Sequence, residues 1–115
     1  MRPRIAIDAM GGDEGPRVMV AGAALARHRH AGFQFLFVGD EAQIREALKD
    51  HPNLSAASDI LHAPDVVSGD DKPSQALRKS KTTSMGMAVN AVKTGEVSAA
   101  VSAGNTGALM AIAKL

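Results

Sequence analysis

The sequence contains no cysteine, no tryptophan and no tyrosine, and its aromatic residues are three phenylalanines. Without cysteine it forms no disulfide, offers no thiol nucleophile and builds no thiolate-ligated zinc site. So few aromatics cannot make the stacking platform that grips single-stranded nucleic acid, nor the interfacial belt of a membrane span. Charge of one sign is lacking too: 13 Lys and Arg against 12 Asp and Glu leave +1, so no global field draws in nucleic acid or anionic lipid. No apolar run approaches the roughly 18 residues of a transmembrane helix. The run before Asp8 is too short for the apolar region of a secretory signal. From these absences a soluble, cytoplasmic chain that binds no nucleic acid is expected.

What is present suits one globular unit. The chain has 115 residues, 45% hydrophobic and 22% charged, enough to bury roughly two thirds of its unfolded surface. It stops at MAIAKL, inside a helical pattern with no Gly or Pro stop signal. Residues 1–115 are therefore expected to be the N-terminal part of a longer, single α/β catalytic domain.

Short apolar runs alternate with helical patterns. IAIDAM (5–10), FQFLFV (33–38), SDILHA (58–63) and VSAAVSA (97–103) read as strands. Helices are expected over 15–30, with Pro16 in its first turn and basic residues at its end, and over 41–51. A long helix is expected over 75–94, with Gly95 as its cap, and another from Asn105 onward. This order predicts right-handed βαβ units and a mainly parallel sheet in a three-layer α/β/α sandwich. Ligands of such sheets lie beyond the carboxyl ends of the strands. The unusual residues collect there: Asp8 to Asp13, Gly39-Asp40, the 68–74 loop and Ser102 to Gly107.

Three stretches carry chemistry. In VSAGNTGALM (101–110), a strand turns into a helix through Ser102, Gly104, Asn105, Thr106 and Gly107. The unpaired N–H groups of a helix start favour anions, and glycine lets an anion approach them closely. The stretch is neither a Walker motif nor a G-x-G-x-x-G fingerprint, which argues against a nucleotide. An ordinary capped turn is the plain alternative. In IDAMGGDEGP, Gly11 and Gly12 again permit close approach, while Asp8 and Asp13 orient polar ligand groups or cap the next helix. No companion carboxylates accompany them, so no metal is expected. In DKPSQALRKSKTTSM (71–85), a continuous helix would align Ser74, Arg78, Lys81 and Met85 on one stripe. No acid occurs between Asp71 and Glu96, and this one-signed patch, with Lys72 at its start, points to an anion. His28, His30, His51 and His62 lack a partner base, and Met85, Met87 and Met110 read as core filler.

AIDAMGGDEGP, DKPSQALRKSKTTSM and VSAGNTGALM, in this order and spacing, resemble the bacterial phosphate acyltransferases of the acyl carrier protein–phosphate type. The resemblance covers essentially the whole chain. The DEGP form departs at Glu14 from the family's DFGP, at a position that reads as tolerant. It implies an acyltransferase that makes acyl phosphate from a long-chain acyl carrier protein thioester and inorganic phosphate, the first step toward phosphatidic acid. It further implies a fold like the isocitrate and isopropylmalate dehydrogenases, a homodimer, no cofactor, and a membrane surface where the product passes to glycerol-3-phosphate acyltransferase. Arg78, Lys81 and Asn105 are then the expected catalytic groups. Asp8, Gly11, Gly12, Asp13, Lys72, Ser74, Ser102, Gly104, Thr106 and Gly107 are expected to bind substrate. Two other readings stand beside it: a phosphotransacetylase-like enzyme using acyl coenzyme A, and a non-catalytic binding or dimerisation fragment that holds ligand without turnover.

Overall fold

The strands and helices alternate as expected in the computed structural model, which describes residues 3–114. The order is β1 (Arg4–Asp8), α1 (Pro16–Arg29), β2 (Gln34–Gly39), α2 (Glu41–Leu48), α3 (Pro52–Ala56), β3 (Ser58–His62), α4 (Pro73–Arg78), α5 (Ser84–Lys93), β4 (Ala99–Val101) and α6 (Thr106–Ala113). Every strand pair is parallel, in the order β3-β2-β1-β4. β1 pairs with β2 from Arg4 beside Gln34 to Asp8 beside Val38, and with β4 from Ile5 beside Ala99 to Ile7 beside Val101.

Both faces of β1 and β2 are covered, which is why their central stretches, Ile5 to Ile7 and Phe35 to Val38, are continuously apolar rather than alternating. Ile7, Phe35 and Phe37 face one side and pack on Val20 and Ala23 of α1, Ile44 and Leu48 of α2, and Leu54 of α3. Ala6, Leu36 and Val38 face the other and pack on Ala88 and Ala91 of α5 and on Val97. A third cluster joins Ala76 of α4, Met85 and Val89 of α5, and Ala108 and Ile112 of α6. Each large apolar side chain fully buried this way contributes about 1.5–3 kcal/mol. Helices on both faces make the three-layer α/β/α sandwich.

The chain builds outward from β1 to β3, then returns to the opposite side of β1 to add β4. Strand order therefore reverses between β1 and β4. At such a reversal the connecting loops diverge to opposite faces and leave a crevice at the carboxyl ends. The loops after Asp8 and after Val101 form its two walls.

The expected helix over 75–94 is two helices, α4 and α5, broken at residues 79–83. Thr83 caps α5, its hydroxyl accepting from the Gly86 N–H at 3.2 Å. The Asp65 and Thr83 segments pair, and the Ser84 N–H reaches the Asp65 carbonyl at 3.0 Å. A Cβ on Gly86 would overlap the Ser80 carbonyl, so glycine is what lets the corner fold over the start of α5. The helix expected over 41–51 also ends early, at Leu48, because Pro52 opens the separate α3. The other elements agree to within a residue or two at most ends; β1 is shorter than expected, and β4 keeps only 99–101 of the expected 97–103. Gly95, with φ 80°, follows the cap of α5.

Candidate functional site

Asp8 ends β1 and is 1% exposed. Its Oδ1 accepts from the Met10 N–H at 3.2 Å, the Gly11 N–H at 3.1 Å and the Ser84 hydroxyl at 2.6 Å. Its Oδ2 accepts from the Ser102 hydroxyl at 2.8 Å. Ser102 in turn accepts from the Gly104 N–H at 3.2 Å. One carboxylate thus ties together the loop after β1, the start of α5 and the turn after β4. Gly11 is required by this packing: a Cβ there would stand 2.9 Å from both Asp8 Oδ2 and the Gly104 nitrogen. Gly12, with φ 84°, lies against Ala103. Asp8, Gly11, Gly12, Ser102 and Gly104 are therefore one assembled unit.

A second unit adjoins it. Asn105 caps α6, its Oδ1 accepting from the Ala108 N–H at 3.1 Å. Its Nδ2 donates to the carbonyls of Ser68 at 3.2 Å and Asp71 at 2.8 Å, which fastens the 68–71 loop to the helix start. The loop is also closed on itself, with the Ser68 N–H on Asp71 Oδ2 at 2.9 Å. The Pro73 ring lies 3.4 Å from where a Gly107 Cβ would stand. The starts of α4 and α6 therefore meet, which brings Lys72 and Ser74 beside Thr106 and Gly107. The N–H groups of Asn105, Thr106 and Gly107 have no acceptor among the described residues. The Gly104 N–H, by contrast, is taken by Ser102.

The break between α4 and α5 dissolves the expected stripe. Ser74 and Arg78 are on α4, Lys81 lies in the corner, and Met85 is buried in α5. Arg78 is exposed, and its Nε bonds the Ser74 carbonyl of its own helix at 3.4 Å. Lys81 lines a groove with Leu77, Asn90, Lys93 and Ile112, away from the start of α6. Neither cation donates a hydrogen bond to the 102–107 turn. Lys72, between Asp71 and Pro73, which both touch the start of α6, is the cation whose backbone lies beside it.

Neither Asp8 nor Asp13 caps α1, whose cap position is Gly15 with no side-chain bond. Asp13 is exposed and opens toward a groove between α1 and α2, with Arg17, Glu46 and His51. The His62 Nδ1 accepts from the Glu41 N–H at 3.2 Å, which commits it to the start of α2. Met85 is core, and its methyl lies 3.0 Å from where a Gly104 Cβ would be. Met110 is 68% exposed and is not core filler. Ser84 is the residue that sequence reasoning missed. Its signal was Thr82-Thr83-Ser84, a run of cap-forming side chains inside an apparent helix.

Fold and site define a doubly wound parallel α/β protein whose polar loops collect at the strand-order reversal, around helix-start amides and a lysine. No helix among the described residues is long and apolar enough to cross a membrane. A family profile described as "Fatty acid synthesis protein" matches residues 3–115, and the chain belongs to that family. It is 69% identical over 113 residues to the phosphate acyltransferase of Erythrobacter litoralis (strain HTCC2594), covering 98% of this chain and 32% of that protein. It is 58% identical over 112 residues to the phosphate acyltransferase of Bradyrhizobium diazoefficiens, covering 96% and 32%. Against the phosphate acyltransferase of Azorhizobium caulinodans the identity is 60% over 113 residues, covering 97% and 32%. The chain thus spans about a third of the length of these relatives.

Proposed function

We propose that residues 1–115 form the N-terminal part of the catalytic domain of an acyltransferase that makes acyl phosphate from acyl carrier protein thioesters and inorganic phosphate. The observation that carries this reading is the set of unpaired Asn105, Thr106 and Gly107 amides beside Lys72 and Ser74, at the strand-order reversal. Three amides and a lysine suit a small, multiply charged anion. The relatives' name, phosphate acyltransferase, describes such a substrate.

With phosphate as nucleophile, the protein supplies no attacking side chain. A phosphate oxygen attacks the thioester carbonyl carbon, a C–O bond forms, and the carbonyl oxygen takes up negative charge. The C–S bond then breaks, and the carrier's sulfur leaves as a thiol with the proton that the attacking hydrogen phosphate gives up. The protein's task is to hold phosphate in line with the carbonyl, which supplies up to about 7–11 kcal/mol in well-oriented systems. A donor aimed at the developing oxyanion adds about 3–4 kcal/mol.

On this reading Lys72, Ser74 and the α6 amides seat phosphate. The exposed Arg78, Lys79 and Lys81 meet the acidic surface of the carrier protein, where charge complementarity speeds encounter. The enzyme works as a homodimer, and its acyl phosphate passes at the membrane surface to a glycerol-3-phosphate acyltransferase. The test uses a chain of full family length carrying this segment. It is given labelled inorganic phosphate with either an acyl carrier protein or an acyl coenzyme A donor. Acyl phosphate from the carrier thioester supports the proposal. Product only from the coenzyme A donor would make the protein phosphotransacetylase-like, and binding without product would make the segment a binding module.

A further inference from the structure

Asp8 is enclosed on every side that a ligand would need. Its Oδ1 holds three donors, its Oδ2 holds Ser102, and the Gly11 backbone closes over Oδ2. At 1% exposure the carboxylate does not reach a substrate. Its bonds nevertheless lead to the crevice. The Ser102 hydroxyl has one hydrogen, which goes to Asp8, so the same oxygen is left as an acceptor and takes the Gly104 N–H. That fixes the peptide plane entering α6, whose next three amides are the unpaired ones. The branch through Ser84 runs elsewhere, to the start of α5.

We propose that Asp8 is a positioning residue that acts through Ser102: the carboxylate sets the direction of the Ser102 hydroxyl, and this aims the Asn105 to Gly107 amides at phosphate. Ser84 shares the carboxylate but serves to anchor α5. The inference rests on the phosphate seat proposed above and deepens it. An amide at position 8 reverses the relay. In Asp8→Asn the Nδ2 donates to Ser102, and the hydroxyl hydrogen loses its acceptor and must turn to one of the two positions left on the oxygen, one of which the Gly104 N–H holds. Ser102→Ala removes the relay, and Ser102→Thr retains the hydroxyl.

The experiment places Asp8→Asn, Ser102→Ala, Ser102→Thr and Ser84→Ala in a chain of full family length carrying this segment. Melting temperature, phosphate and acyl-donor kinetics, and hydrogen exchange at the Gly104 amide are measured on each. Asp8→Asn, Ser102→Ala and Ser84→Ala are expected to melt several degrees lower, since each removes a hydrogen bond made by the buried Asp8 carboxylate. Only Asp8→Asn and Ser102→Ala are expected to raise the phosphate KM, by about tenfold, with the acyl-donor KM within about twofold of the parent. Ser102→Thr restores the parent value. Gly104 exchange accelerates in the same two variants and not in Ser84→Ala. Lower melting with unchanged phosphate KM would make Asp8 a purely structural group and end the proposal. An equal rise in Ser84→Ala would end it too, since that indicates general loosening. If the parent makes no acyl phosphate, the functional reading fails and exchange alone decides the relay: a Gly104 amide indifferent to Ser102→Ala overturns it. Should Asp8→Asn not fold, the Ser102 pair decides the same question.

Discussion

The Asn105 side-chain amide lies 2.8 Å from the Asp71 carbonyl oxygen, so the start of α6 and the loop leading into α4 are held as one piece. The two halves of this side chain do separate work. Oδ1 caps the helix, and Nδ2 holds the loop. Asn105→Asp keeps a capping oxygen but puts an acceptor against carbonyls. Asn105→Ala loses both, and an N-cap is worth about 0.5–2 kcal/mol. The alanine variant is expected to lose about 1–2 kcal/mol in urea unfolding. The aspartate variant should lose less stability yet bind phosphate more weakly, because the loop is repelled and a negative charge stands beside the anion. Equal phosphate affinity in Asn105→Asp and the parent would detach this residue from the seat.

Two glycines give opposite predictions for the same substitution. Gly86→Ala pushes a methyl into the Ser80 carbonyl at the α4–α5 corner and is expected to destabilise by about 1–3 kcal/mol or more. Gly22 is inside α1, with open space where a Cβ would stand. Gly22→Ala is expected to stabilise by about 0.5–1 kcal/mol through helix propensity and a stiffer unfolded chain. Thermal unfolding of the two variants checks the pair, and a neutral Gly86→Ala would mean that the corner is not packed as described.

The corner also shows where the sequence misleads. Gln75 to Thr94 holds no proline and one glycine, so the helical period runs on unopposed. What breaks it is Thr83 capping α5 and the distant Asp65 pairing beside it, a contact across the fold that no local period carries. The sheet was far more legible, because Ile5 to Ile7 of β1 and Phe35 to Val38 of β2 are covered on both faces and are continuously apolar. The site was legible in part. Its place at the strand ends followed from element order, and the glycines marked the close approach of two loops. Asp8 was harder to assign. A carboxylate beside glycines looks like a ligand group until Ser84 and Ser102, 76 and 94 residues away, are seen to consume it. Arg78 and Lys81 shared a stripe only on a helix that is not continuous.

Those two cations can be separated from the phosphate seat by experiment. Arg78, Lys79 and Lys81 are exposed around the α4–α5 corner, with no acidic residue between Asp71 and Glu96. Replacing all three with glutamine, in a chain of full family length, is expected to raise the KM for the acyl carrier protein thioester several-fold at low salt. The effect should shrink as salt screens the encounter, over a Debye length of about 8 Å at physiological ionic strength. The phosphate KM should stay near the parent value. A rise in phosphate KM with no change for the carrier would return these residues to the anion site.

Lys72 carries the complementary prediction. It stands at the cap position of α4, its backbone N–H held by Gln75 Oε1 at 2.9 Å, and the adjoining Pro73 ring packs toward Gly107. The backbone is therefore anchored while the side chain is exposed, and on the proposed reading its ammonium meets the anion at the start of α6. Lys72→Ala removes a point charge without disturbing that anchor, so the fold should be unchanged in melting temperature. Loss of one charge-assisted contact, about 1.5–3 kcal/mol, corresponds to a phosphate KM raised roughly ten- to a hundredfold. Lys72→Arg keeps the charge on a planar, forked head and should recover part of the loss. The same substitution should leave the carrier-protein KM within about twofold, opposite to the triple variant at the corner. Should Lys72→Ala and the parent respond alike to phosphate, the helix-start amides alone would have to hold the anion, and the cation of the seat would lie outside residues 3–114.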